Sequence, residues 1–141
     1  MTPDDDSTAA SRAPFDIDAT YLLVADDGTM STVDKTGPPP RIDGLTLGVH
    51  HLHSDSAHDG ELHTDGDELI IVLAGRAAVE LVDADEGTHR TDVAAGQGCI
   101  VPQGHWHRLL IDEPSTILHV TPGPAFDIRW AQPSGSSEPG A

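Results

Sequence analysis

Residues 68–75, which read Glu-Leu-Ile-Ile-Val-Leu-Ala-Gly, form a continuous apolar run rich in β-branched side chains behind one glutamate. Such a run is typical of a strand that is buried on both faces. Gly75 and Arg76 predict a turn into a second strand over residues 77–82. A single helix over residues 68–82 is the alternative, and the glycine in its middle and the β-branched content count against it.

Outward from this pair, short apolar segments alternate with turn residues. Residues 21–24 and 30–33 flank Asp26-Asp27-Gly28 and predict a hairpin, and Gly37-Pro38-Pro39-Pro40 then forms a rigid break. Strands that recur about every eight to twelve residues, without a long helical period, predict an all-β sandwich or barrel of the jelly-roll type. The further strands are predicted over residues 45–49, 88–93, 99–101, 106–111 and 115–121.

The length of 141 residues corresponds to one domain. Residues 1–13 are small and acidic, and we expect them to form a disordered arm. Residues 132–141 have the Ser, Gly and Pro content of a flexible tail. The β-barrel domain is therefore predicted over residues 14–131.

The charge of the chain limits its partners. Asp and Glu number 24 against 7 Lys and Arg, a formal charge of −17, which repels phosphate backbones and anionic lipids. No apolar run approaches the roughly 18 residues of a membrane helix, and the start of the chain lacks the features of a signal peptide. We expect a cytoplasmic protein that binds neither nucleic acid nor membrane. The lone Cys99 cannot close an intrachain disulfide and is expected to pack as a small hydrophobe.

Histidine is the unusual component. The nine histidines outnumber Lys and Arg together, and five of them fall within residues 50–63. Imidazole is the commonest metal ligand, so this cluster indicates a metal site. Composition alone leaves a solvated histidine-rich loop as an equal alternative.

Two spaced sets of residues resemble the motifs of a known family. His63, Glu68 and Gly75, with gaps of four and six residues, match the first motif of the cupins, G-x5-H-x-H-x3,4-E-x6-G. Glu61 stands where this motif has its leading histidine, and Asp55 where it has its leading glycine. The first of these departures changes the candidate site itself.

The second cupin motif, G-x5-P-x-G-x2-H-x3-N, is matched by Gly96, Pro102, Gly104 and His107 without a gap, while Ile111 replaces its asparagine. The resemblance extends over residues 19–130 and implies a cupin double-stranded β-helix, or jelly-roll, barrel. Close turns at Gly75 and Gly104 predict positive φ angles there.

The resemblance implies a metal site of two imidazoles and two carboxylates, Glu61, His63, Glu68 and His107. Such mixed N/O ligands suit one divalent transition metal, Fe, Mn, Ni, Co or Zn, and affinity alone does not choose among them. Without one carboxylate the set is the face of two histidines and one carboxylate found in non-haem iron oxygenases. Glu61 is either a fourth ligand or a general base, and we take Glu61 and Glu68 as the candidate catalytic groups.

Other residues are candidates for the surroundings of the metal. Five further histidines are expected near the ligands or at the barrel mouth: His51, His53, His58, His105 and His119. Four apolar residues are expected to point inward and make the pocket dry: Ile71, Leu73, Leu109 and Ile111.

The cupin fold hosts many reactions, so the fold leaves the activity open. A metal-dependent enzyme acting on a small molecule, of the dioxygenase, isomerase or lyase type, is the leading hypothesis. A non-catalytic module that binds a metabolite or a metal is the alternative, and a metal-free barrel is the third. We also expect a homodimer, because pairing removes an exposed edge strand, with residues 21–24 as the docked or exchanged element.

Overall fold

Nine β-strands, and no helix, make up the part of the chain that the computed structural model describes, residues 13–83 and 87–130. The all-β prediction is confirmed. The predicted tail, and the predicted arm apart from Ala13, lie outside these residues. No helix long and apolar enough to cross a membrane occurs within the described ranges. The strands are β1 Thr20–Ala25, β2 Met30–Asp34, β3 Gly44–Leu52, β4 Gly60–His63, β5 Glu68–Asp83, β6 Gly87–Ala94, β7 Gly98–Val101, β8 Trp106–Gly123 and β9 Phe126–Arg129.

All pairings between these strands are antiparallel. One path runs β2-β1-β3-β8-β4-β9, while β5 pairs with β6, β7 and β8. The predicted hairpin is confirmed as β1 and β2, with Tyr21 opposite Val33. β8 therefore contacts β3, β4 and β5, and it joins the walls of the jelly roll.

The predicted turn at Gly75 is wrong. β5 runs through it as one strand of 16 residues, and β8 runs in the same way through the predicted break at Glu113 and Pro114. Bulges interrupt the register of the two strands between Val72 and Ala77. The residues that predicted a turn therefore mark a bend in two paired strands.

The geometry at this bend explains the glycine. Gly75 has φ +86°, and a Cβ there would lie 2.3 Å from the carbonyl oxygen of Pro114. The Arg76 amide donates to Ser115 Oγ at 3.0 Å, and the Ser115 hydroxyl lies 2.7 Å from the carbonyl oxygen of Glu113. The positive φ predicted at Gly75 is confirmed, as is that at Gly104, +78°.

Side chains of alternate residues on β5 face the core. Glu68, Ile70 and Val72 are buried, whereas Ile71 is half-buried and Leu73 is 50% exposed. The expected inward positions of Ile71 and Leu73 are therefore wrong, because neighbouring residues on a strand point to opposite faces. The buried core consists of Ile70, Val72, Ala77, Val79, Val93, Val101 and Ile117, with Leu109 and Ile111 packed against it.

The last strand, β9, was not predicted. Pro122-Gly123-Pro124 reads as an end of regular structure. The strand that follows is short, with only the four residues Phe126–Arg129. β9 nevertheless pairs with β4 over its whole length, from Gly60 opposite Arg129 to His63 opposite Phe126. The strand that carries two candidate ligands is thus held between β8 and β9.

Candidate metal centre

Three strands bring the four predicted site residues together. Glu61 and His63 lie two residues apart on β4, so both side chains point to the same face. Glu61 is the register partner of His107 on β8, and Glu68 begins β5. His63, Glu68 and His107 are only 3%, 6% and 4% exposed. The chain therefore collects two imidazoles and two carboxylates in its interior.

The nitrogen and oxygen atoms of this cluster are closely spaced. His63 Nε2 lies 3.2 Å from Glu61 Oε1 and 3.4 Å from Glu68 Oε2, and His107 Nε2 lies 2.8 Å from Glu68 Oε1. Two ligands at right angles on a metal with bonds of roughly 2.1 Å would lie about 3.0 Å apart. Glu61, His63 and His107 each offer a ligand atom, and these three atoms lie within 4.8 Å of one another. The spacing matches that of donors around one cation.

His63 supplies the test of whether a metal fits. Both of its ring nitrogens are buried, and neither makes a hydrogen bond to a residue that the structure describes. A buried polar atom without a hydrogen bond is costly, and Nε2 lies 3.2 and 3.4 Å from two carboxylate oxygens without forming one. A cation coordinated by Nε2 would satisfy the nitrogen and both carboxylates together. The residues present therefore fit a divalent metal.

Charge in the cluster shifts the ionisation of its members. Burial lowers the pKa of His63, but the adjacent carboxylates Glu61 and Glu68 outweigh it and raise the pKa to about 9. Burial raises the pKa of Glu68, but His107 and His63 outweigh it and hold the pKa far below its usual range. The pKa of Glu61 is lowered too, since His63 and Arg41 outweigh its burial and the repulsion of Glu68. Both carboxylates are thus ionised and face a protonated His63 in the metal-free protein, so a metal bound at Nε2 would displace that proton.

A chain of hydrogen bonds leads away from Glu68. Thr121 Oγ1 donates to Glu68 Oε2 at 2.6 Å, so its single hydrogen is used. His119 Nδ1, 2.7 Å from that hydroxyl oxygen, must then be the donor, and His119 Nε2 must accept from His50 Nε2 at 3.2 Å. Gly48 leaves the space for this ring, because a Cβ there would lie 2.6 Å from His119 Nε2. The Glu68 carboxylate therefore sets the direction of every bond in the chain.

We expect the stability of the metal-free protein to fall as pH decreases from 6.5 to about 4. Burial lowers the pKa of His119 from 6.5 to about 4, so the unfolded chain takes up a proton in this range before the folded chain does. The contribution of His119 is complete above pH 6.5 and amounts to about 3 kcal/mol over the window. Denaturant unfolding at several pH values should show this loss in the wild type and a clearly smaller one in His119→Gln. Equal slopes in the two proteins would contradict the assignment.

The other predicted histidines lie at different distances from the cluster. His58 is close, with Nε2 3.5 Å from Glu61 Oε2. His51 is exposed and contacts Asp18 on the outer side, and His105 contacts the backbone of Gln103. His53 is also exposed. The structure places none of His51, His53 and His105 at the site. His119 is connected to it, because it hydrogen-bonds to Thr121, which hydrogen-bonds to Glu68.

A cavity of about 330 Å³ is lined by three of the four residues, Glu61, Glu68 and His107. Two of its lining residues, Arg41 and His50, were not recognised in the sequence. His50 precedes the outward His51 on β3, so its side chain points to the opposite face, toward the cavity. Assigning the inward face of β3 to His50 would have predicted this position. Arg41 follows the proline break and had no sequence signal. The apolar part of the lining includes Leu52, Ile70, Leu109, Ile117, Phe126 and Ile128.

A family model described as a cupin domain matches residues 48–121, just over half of the chain. The chain therefore belongs to the cupin family. The matched residues include all four residues of the cluster and both motifs. No curated protein sequence matches the chain.

The solved structures that match this chain include an oxalate decarboxylase and a dioxygenase. A deletion mutant of the Bacillus subtilis oxalate decarboxylase OxdC is 20% identical, with a TM-score of 0.51 over 60% of this chain and 23% of that one. Hydroquinone 1,2-dioxygenase PnpCD, in complex with Cd²⁺ and 4-hydroxybenzonitrile, is 21% identical, with a TM-score of 0.48 over 64% of this chain and 68% of that one. This chain spans less than a quarter of the decarboxylase, and the likeness concerns the fold alone.

Proposed function

We propose that this protein is a metal-dependent cupin that acts on a small molecule held in the barrel cavity. The supporting observation is the buried Nε2 of His63, which lacks a hydrogen bond and lies 3.2 and 3.4 Å from two carboxylate oxygens. In the metal-free protein this nitrogen has ion pairs with the two carboxylates but no well-formed hydrogen bond. A divalent cation satisfies it and balances the two buried negative charges.

Each residue of the site has a distinct part in this proposal. His63 and His107 would hold the metal, with Glu68 completing the set and Glu61 as a fourth ligand or a general base. The bound metal would supply Lewis-acid chemistry. Thr121 and His119 orient the Glu68 carboxylate through the hydrogen bonds at 2.6 and 2.7 Å. The apolar walls of the cavity exclude water from a bound molecule.

A non-catalytic binding module is the second candidate. It is favoured by Glu61, which replaces the leading histidine of the motif and whose carboxylate is engaged by Arg41 at 3.3 Å and by His58 at 3.5 Å. A group held from two sides is poorly placed to move a proton. Turnover separates the two candidates, whereas both require the metal.

The first test of the proposal is the metal content of the protein. Protein purified without chelator and without a nickel column should contain close to one divalent transition metal per chain by elemental analysis. Anaerobic titration of metal-free protein with Fe(II), Mn(II), Co(II), Ni(II) and Zn(II) should show which ion binds best. Protein that neither contains nor takes up any of them would leave the metal-free barrel as the correct interpretation.

Glu61→Gln separates the two roles open to this residue. Because Glu61 shares the cluster with His63 and His107, we expect the variant to bind metal at least tenfold more weakly, since an amide lacks the charge that offsets the cation. Glu80→Gln, which removes a half-buried carboxylate paired with Arg108 instead, is the matched control. Unchanged metal affinity in Glu61→Gln, with altered turnover, would assign the role of base.

The homodimer and the cytoplasmic location stay predictions. β2 lies at one end of the sheet and pairs only with β1 among the described strands. All its residues are exposed, including Met30 and Val33. The dimer prediction depends on such an exposed edge, but residues 21–24, the predicted docked or exchanged element, lie in β1 and pair with both β2 and β3, so the free edge belongs to β2 instead.

A further inference from the structure

Arg41 is a largely buried cation beside the metal site. Its side chain is 13% exposed, and Nη2 contacts Glu61 Oε1 at 3.3 Å. The guanidinium lies 5.6 Å from the ring centre of Phe126, and both residues line the cavity. The Nε atom is buried and has no hydrogen-bond partner among the residues that the structure describes. A guanidinium carries five N–H donors in one plane, and the Nε donor of Arg41 lacks an acceptor.

The charges that line the cavity do not balance once a metal is present. Glu61 and Glu68 together offset a divalent cation, and the other arginine of the lining, Arg108, is paired with Glu80 at 2.9 Å. The positive charge of Arg41 then remains without a full counter-charge in a mostly apolar space. Buried charges in proteins are paired, so one negative charge is missing from this cavity.

We propose that Arg41 binds the carboxylate of a singly charged small molecule that occupies the cavity. This inference rests on the proposed metal site and names the class of its ligand. A phosphate monoester carries close to two negative charges at neutral pH and exceeds the single charge that is missing. A carboxylate carries one charge and matches the fork of a guanidinium.

The rest of the lining describes the rest of the ligand. Apolar side chains from several strands face the cavity, among them Leu52, Ile117 and Ile128. A volume of about 330 Å³ is at the small end of ligand pockets. The ligand is therefore a small acid with an apolar body, with its carboxylate at Arg41 and its apolar part against these walls.

Calorimetry with benzoate and benzamide tests the inference, because the two probes share a shape and differ in charge. Protein loaded with the metal that binds it best should bind benzoate at least tenfold more tightly than benzamide. Arg41→Gln should remove this preference, and Arg41→Lys should retain part of it. Arg108→Gln is the matched control, since Arg108 lines the same cavity but already has a partner, and it should keep the preference.

Metal content, measured on the same samples, separates the two proposals. A metal-loaded protein without a preference for benzoate, or with one that survives Arg41→Gln, would overturn the role of Arg41 and leave the metal site intact. A protein that takes up no metal yet prefers benzoate through Arg41 would support Arg41 and overturn the metal. Absence of both metal and preference would reject both proposals.

Discussion

His63→Ala and His107→Ala are each expected to abolish stoichiometric binding of a divalent metal while the barrel stays folded. Both side chains lie on strands at the centre of the cluster, and imidazole supplies the nitrogen ligands that a borderline metal prefers. Mutation of a residue that only hydrogen-bonds to a ligand typically weakens metal binding about 10–100-fold. Loss of a direct ligand should weaken it by more than that. Titration with the metal identified in the wild type measures the loss, and circular dichroism checks the fold.

His51→Ala is the control for these two variants. His51 is exposed on the same barrel and contacts Asp18 and Thr116, away from the cluster. The His51→Ala variant should bind metal as tightly as the wild type. If all three variants hold the same amount of metal, the ion is bound elsewhere and the proposed centre is wrong.

Gly75→Ala is expected to lower the free energy of unfolding by about 3 kcal/mol or more. The new Cβ would lie 2.3 Å from the Pro114 carbonyl oxygen and 2.5 Å from Ser115 Oγ. The first of these neighbours is backbone, so both long strands must shift to admit a methyl group. Denaturant unfolding of the wild type and the variant measures the difference.

Gly96→Ala isolates the steric part of this cost. Gly96 has the same φ, +86°, but a Cβ there meets nothing within 4 Å. Its loss should be limited to the backbone strain of about 1–2 kcal/mol. Equal losses in the two variants would show that the strain accounts for everything and that the contact at Pro114 does not matter.

The strand pattern predicts most of the fold because period-two alternation and turn residues are local signals. It fails at Gly75 and at Pro114, where residues that usually end a strand instead permit paired strands to bend together. Such a bend depends on a partner strand about 40 residues away in sequence, as the contact of Arg76 with Ser115 shows. No local signal contains that information.

The site was predictable to the extent that strand parity and motif spacing determine it. The spacing of the motifs singles out His63, Glu68 and His107, and these residues meet in the barrel. Strand parity also predicts the inward residues of β5 correctly, because an inward Glu68 requires Ile70 and Val72, and not Ile71 and Leu73, to point inward. The position of Arg41 depends on how a loop folds over the cavity, and neither parity nor spacing describes a loop.

The proline segment in front of Arg41 has a consequence for ligand recognition. Pro38 and Pro39 line the cavity, and the carbonyl of Pro40 accepts a hydrogen bond from Thr46 Oγ1 at 2.6 Å. Proline rings fix φ, so this loop has few backbone conformations in any state of the chain. The conformational entropy of the loop is therefore lost largely before a ligand arrives, and Arg41 is preorganised, with little further ordering needed on binding.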